Sequence, residues 1–386
     1  MRMREKLLNL VVGCSLFFTA SMAHAAKPAT LMYVANEGEH NVMVVNLDTE
    51  QVLATLQTGN NPHAVVFAGG NKAYINNRGS QYLTVIDTER LEVSGTIPLQ
   101  ATSFQLALSP DGETLAVSYK DALMVSLVDV SSNLIVATIP IGETPADGFS
   151  EKPMKHPFWN KDGSYLYVQN NIENKIVIID PVTFAIAAEI AMPGSNHDLV
   201  SSANGETLYA VNQNTDSGTS LTVIDAVYDY VITDITIPLL PGEVGFGHHG
   251  DLTPNGKIFY FCNEGGYSVT LVDTVNMQVI KSIIVGNGAG HPVFSNNNQK
   301  VFIIPHKDNM VSVIDASSQE VIANIPAGVG KKLAHSSYVS ADGKYLYAIN
   351  VYDQNIVKID TSNLNVVSTI AVGKKALAFG VTTAQL

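Results

Sequence analysis

The chain has 386 residues, 46% of them hydrophobic and 15% charged, with a formal net charge of -13. Beyond residue 25 its only arginines are Arg78 and Arg90, so it lacks the cationic face with which a nucleic-acid binder releases counterions. After that point no run approaches the roughly 20 apolar residues of a membrane helix, which predicts a soluble mature chain with no transmembrane segment.

The first element is an export signal over residues 1–25. Arg2, Arg4 and Lys6 form a positive start, Leu7 to Ala20 is mostly apolar, and Ala23-His24-Ala25 is an A-x-A cleavage site. A competing reading takes Val11-Val12-Gly13-Cys14 as a lipobox, with Cys14 lipidated. Cleavage after Ala25 removes Arg2, Arg4, Lys6 and Glu5 and moves the net charge to -15. Periplasmic or secreted localisation follows. Only Cys262 remains, so there is no disulfide framework. Covalent c-type haem is excluded because no C-x-x-C-H occurs.

Residues 26–386 read as one repeat domain. A Val/Ile-rich segment recurs eight times, ending at Asp48, Asp87, Asp129, Asp180, Asp225, Asp273, Asp315 and Asp360. A spacing near 45 residues with strand-like content is the period of a propeller blade. Within each unit an inner strand leads to a hairpin such as Asp111-Gly112, Asp162-Gly163, Asn204-Gly205, Asn255-Gly256 or Asp342-Gly343, read as two-residue turns of positive φ. A second strand follows, for example Tyr165-Leu166-Tyr167-Val168. A third strand then ends in the recurring Asp, which caps the next turn. The fourth is of the type Glu320 to Ile325. The first unit has no inner strand of its own. Residues Ala376 to Thr382 supply it, which closes the ring and removes exposed edges. The predicted fold is therefore an all-β, eight-bladed propeller of four-stranded blades, closed by a C-terminal strand in the first blade.

Tyr33-Val34-Ala35-Asn36, Val85-Ile86-Asp87-Thr88, Asn61-Pro62-His63-Ala64-Val65 and Ser109-Pro110-Asp111-Gly112 resemble the YVTN-repeat family of bacterial and archaeal β-propellers. The resemblance spans the mature chain. It implies the propeller fold, and among the family's members are surface-layer proteins, periplasmic binding proteins and relatives of lactonases. Distant relatives include haem d1 and nitrous oxide reductase propeller domains.

Seven histidines sit in the loops that lead into inner strands: His63, His156, His197, His248, His249, His291 and His335. Inner strands line the central channel, so these positions surround one mouth of it. His40 and His306 lie beyond second strands and read as loop histidines. Two readings of the ring stay open. One is a repeat signature, since WD40 blades carry a structural Gly-His in such a loop and Gly247-His248 and Gly290-His291 match it. The other is a site for copper or another transition metal, because imidazole suits Zn, Cu, Fe and Ni. The second arrangement resembles the copper-binding propeller of nitrous oxide reductase, and a bound tetrapyrrole is a further alternative.

Lys331-Lys332 and Lys374-Lys375 occupy corresponding loops of adjacent blades and form a basic sector, a candidate anchor for an anionic ligand. Asp147, Asp198 and Asp251 are candidate partners that orient imidazoles, with Asp251 also a candidate ligand-binding residue. Cys262 reads as an inert core thiol. The leading expectation is an exported, monomeric binding or scaffold protein of the cell envelope, with a small-molecule or metal ligand at the histidine-lined mouth or another envelope protein as partner. The alternatives are a periplasmic metalloenzyme of copper or haem-type redox chemistry, and a lactonase-like hydrolase, which the scarcity of arginine disfavours.

Overall fold

A computed structural model describes residues 28–145, 155–215, 218–330 and 332–384. The leader, Cys14 and the cleavage site lie outside the described residues, as do Asp147 and Lys331. The described chain forms eight four-stranded antiparallel sheets arranged as blades around an axis, and no helix is long and apolar enough to cross a membrane. The eight-bladed propeller expected from the repeat is present.

Each blade runs from an inner strand at the channel to an outer strand at the circumference. In blade 7 these are Ala289–Phe294, Lys300–Pro305, Met310–Asp315 and Glu320–Pro326. Second and third strands are Val/Ile-rich and buried on both faces, because each is sandwiched between neighbouring blades. The outer strand alternates instead, with Ile325 buried and Glu320, Ile322 and Asn324 exposed. The core lies between blades. One cluster joins Tyr209, Val211, Val223 and Ile235 of blade 5 to Phe259, Phe261 and Val272 of blade 6. At roughly 1.5–3 kcal/mol per fully buried Val, Leu, Ile or Phe, these inter-blade seams are the main favourable contribution to stability.

Ring closure follows the predicted route. The strand Ala376–Ala384 pairs antiparallel with Ala29–Asn36, with Met32 opposite Val381 and Val34 opposite Phe379. Phe379 and Val381 then pack against Tyr347 and Ile349 of blade 8. Outside this seam, Lys358 Nζ of blade 8 lies 2.8 Å from Glu50 Oε1 of blade 1.

Two local expectations need correction. The hairpins are longer than two residues. Gly112 N donates to Ser109 O at 2.9 Å, and Ser109 N donates to Thr114 O at 2.8 Å, so four residues form the loop. Only the glycine takes positive φ, at 76° for Gly112 and Gly163, while the preceding Asp does not. A Ser109-type hydroxyl and the Asp carboxylate cap the turn, so the αL position is needed once. The recurring Asp is also not uniform. Asp87, Asp129, Asp180, Asp225, Asp273, Asp315 and Asp360 accept backbone N–H groups two or three residues on, at 2.7–3.2 Å. In blade 1 that role falls to Asn46, which accepts from Asp48 N and Thr49 N, and Asp48 instead accepts from Thr30 N.

Candidate metal centre

The chain direction decides what shares a mouth. An inner strand runs away from the histidine mouth and the second strand returns to it. The loop leading into the inner strand and the hairpin between second and third strands therefore meet at the same end. The first kind of loop brings the predicted histidines, and the second brings Glu37, Arg78, Glu264 and His306.

Nearly every inner strand starts with a break in register against its second strand. The breaks fall between Pro62 and Val65, Ser103 and Leu106, Asn196 and Asp198, Gly247 and Gly250, Ala289 and His291, and Leu333 and Ser337. Such bulges re-aim side chains, and in blades 2, 5, 6, 7 and 8 they coincide with the histidine positions. The glycines beside them admit neighbouring rings. A Cβ on Gly247 would overlap the Phe261 ring, and one on Gly290 would overlap the imidazole of His306.

The result is a cavity of about 500 Å³ whose lining includes His63, His156, His197, His248, His249 and His291. Five imidazoles of blades 5–7 form its densest part. Candidate ligand atoms of His197, His248 and His249 lie within 4.8 Å of one another, as do those of His248, His291 and His306. His248, 4% exposed, belongs to both groups. Ring centroids are 4.0 Å apart for His197–His248, 4.2 Å for His248–His249 and 3.7 Å for the stacked pair His249–His291. His156 stands at the margin, 5.2 Å from His197 and stacked at 5.4 Å on Phe104.

Carboxylates sit behind this cluster. His249 Nδ1 lies 3.0 Å from Asp198 Oδ2, a bond in which the ring donates and which leaves Nε2 as the atom that could ligate a metal. Glu264 Oε2 is 3.3 Å from His248 Nε2 and 3.6 Å from His306 Nδ1. Gln213 Nε2 lies 3.3 Å from His197 Nδ1 and donates to the Gly247 carbonyl at 2.7 Å. Burial, followed by the neighbouring His249, pushes His248 well below the ordinary histidine value and His156 to about 3. Burial likewise lowers His306 and, against the opposing bond from Glu37, His63. Burial raises Glu264, but the His306 hydrogen bond and nearby positive charge outweigh it, so the carboxyl lies below its usual value. At neutral pH this combination presents His248 and His306 uncharged beside an ionised Glu264, the protonation state a metal requires.

The donor set fits a borderline divalent ion. Tetrahedral coordination at bonds of about 2.0–2.1 Å places nitrogens roughly 3.4 Å apart, so rotations of about an ångström close either triad on an ion.

The sequence-derived candidates separate into groups. His156, His197, His248, His249 and His291 come together. His63 lines the same cavity but is turned to Glu37, with Nδ1 2.8 Å from Oε1. His335 falls on the strand Leu333–Val339, and its side chain is outside what is described. His40 is an exposed loop residue, as expected, accepting from Asn61 N. His306 corrects the expectation, since it is 5% exposed and part of the cluster. Asp198 acts as a carboxylate partner, whereas Asp251 accepts the N–H of Leu252. Desolvation, and then the charge of Asp198, raises Asp251 to about 6 against the Leu252 hydrogen bond, although the residue keeps exposed surface. Lys332, Lys374 and Lys375 are exposed and border a separate depression with Tyr352 and Gln354 between blades 8 and 1. Cys262 is fully buried and its thiol is pushed up by burial, as a core residue should be.

No family model matches the chain. A seven-bladed β-propeller protein of Mycobacterium tuberculosis, Rv1057, is 25% identical over 365 residues, covering 92% of this chain and 83% of that protein. The present chain has one blade more. Among solved structures, a dihydro-haem d1 dehydrogenase, NirN, in complex with DHE, aligns with a TM-score of 0.75 at 17% identity, over 92% of this chain and 75% of that one. AztD of Citrobacter koseri aligns with a TM-score of 0.65 at 12% identity, over 92% and 98%. These likenesses and the eight closed sheets agree on one conclusion: the chain is a β-propeller.

Proposed function

We propose that this chain is an exported, monomeric metal-binding propeller of the cell envelope, released from its leader after Ala25 and holding a divalent transition ion at the histidine mouth. The observation that carries the reading is the pair of imidazole triads sharing His248, with ligand atoms already within 4.8 Å before any ion draws them together. His197, His248 and His249 form the first triad. His291, His306 and Glu264 stand ready to complete or replace it. Asp198 fixes the His249 tautomer, and burial keeps the shared His248 neutral. An all-imidazole set with one carboxylate suits zinc, nickel or copper(II), and intrinsic affinity at such a site rises toward copper.

The test is calorimetric titration of metal-stripped protein with Zn, Ni and Cu(II). Saturable binding that is lost in the His248→Ala, His249→Ala double variant and kept in His40→Ala is expected. Absence of any saturable site tighter than about 10 μM, a weak value for a multi-histidine site, would overturn the reading. Export is tested separately, by mass spectrometry of the native protein: Ala26 as first residue is expected, and a lipidated Cys14 would refute it.

A further inference from the structure

The cavity has a second wall that the metal does not use. Opposite the imidazoles it is lined by Val65, Val66, Leu106, Ala378 and Phe379. The lining also includes Arg78, one of only two arginines beyond residue 25. The other, Arg90, is spent on Asp87 at an exposed turn. Arg78 is held in one orientation. Its Nε donates to the Phe104 carbonyl at 3.0 Å, and its guanidinium carbon lies 4.6 Å from the Phe104 ring centroid. Burial lowers its pKa to about 10, which leaves it cationic at neutral pH. The nearest acid, Glu37, is bonded to His63, and no carboxylate among the described residues lies within ion-pair distance of the guanidinium. Among the described residues the remaining N–H groups have no hydrogen-bond partner, and a planar fork of this kind matches a carboxylate bidentately.

We infer that Arg78 anchors the carboxylate of a small organic acid whose apolar body packs between Phe104 and the wall of Val65, Leu106 and Phe379. A half-buried, pre-oriented cation beside an apolar surface recognises that pairing of groups, and about 500 Å³ accommodates a molecule of that size. Inorganic anions satisfy the fork but leave the apolar wall wet. The acid lies beside the histidines, so the mouth binds two kinds of ligand.

The experiment measures isovalerate, phenylacetate and indole-3-acetate binding to the metal-stripped protein by calorimetry, with phenylacetamide as the uncharged counterpart of phenylacetate. At least one acid is expected to bind saturably, with the amide at least tenfold weaker. Arg78→Gln should lose at least tenfold in affinity for the acid. Arg78→Lys should fall between, since an ammonium keeps the charge and loses the fork. Zinc titration of Arg78→Gln should match the parent protein, which also reports that the mouth is folded and separates failure here from failure of the metal reading. Equal binding of acid and amide, unchanged acid affinity in Arg78→Gln, or no acid binding tighter than 1 mM (about -4 kcal/mol) would overturn the inference.

Discussion

Two regions of this propeller carry repeated residues, and they behave differently. On the rim, seven of the eight recurring aspartates repeat their contacts, and only in blade 1 does Asn46 take over from Asp48. Asp87, Asp225, Asp273 and Asp315 each cap a turn by accepting backbone N–H groups two and three residues on. At the mouth, the histidines repeat in position but not in contact. His63 turns to Glu37, His249 to Asp198 and His248 to Glu264, and the rings of blades 5–7 face one another across blade boundaries. A residue kept for local folding makes the same local bonds in nearly every copy. The mouth histidines make bonds that only a particular neighbour supplies, which favours a site over a repeat signature.

The comparison is tested first at the level of the frame. Deleting residues 376–386 removes a strand that contributes no histidine yet closes the ring, and it exposes the edges of blade 1. Soluble yield should collapse. A truncated chain that stays monomeric with an unchanged melting temperature would refute closure as the source of stability.

The next largest effect belongs to the shared ligand. Replacing His248 and His249 with Ala should weaken metal binding by about 100-fold or more, since even loss of a supporting partner costs 10–100-fold. Asp315→Ala on the rim should leave metal affinity alone and lower the midpoint of a urea melt slightly, through loss of its turn bonds. His306→Ala should weaken metal binding about tenfold, while His40→Ala leaves it unchanged. Equal effects for these two histidines would remove His306 from the site.

Protonation supplies a smaller effect. Unfolded histidine titrates near 6.5, whereas burial holds folded His156 near 3. Between those values the unfolded chain binds the extra proton, so stability of metal-free protein falls as pH is lowered from about 6.5 toward 3, with no contribution above it. His156→Phe should flatten that slope in urea melts at pH 7.5 and 5. The smallest expected change is at Asp251. Its folded pKa, about 6, lies above the unfolded value, so the folded state holds its proton longer and loses relative stability as pH rises through that window. Asp251→Asn should raise the melting temperature slightly at pH 7.5 and leave it unchanged at pH 4.

Blade number, strand order and closure are determined by the sequence itself, because Val/Ile alternation, turn glycines and a period near 45 residues are local signals repeated eight times. The histidine positions at one mouth are legible for the same reason. Which histidines meet is a tertiary matter. Glu264, Arg78 and His306 lie on hairpins that look like ordinary loops in the chain, and only the antiparallel return of each second strand carries them to the histidine mouth. That direction of return was readable in principle, but the choice among eight blades was not. The bulges between Asn196 and Asp198 and between Gly247 and Gly250 carry the His197 and His248–His249 rings together, while His63, at the corresponding bulge of blade 2, is drawn off by Glu37. Repetition specifies where a side chain starts. Its neighbours across the blade boundary decide where it points.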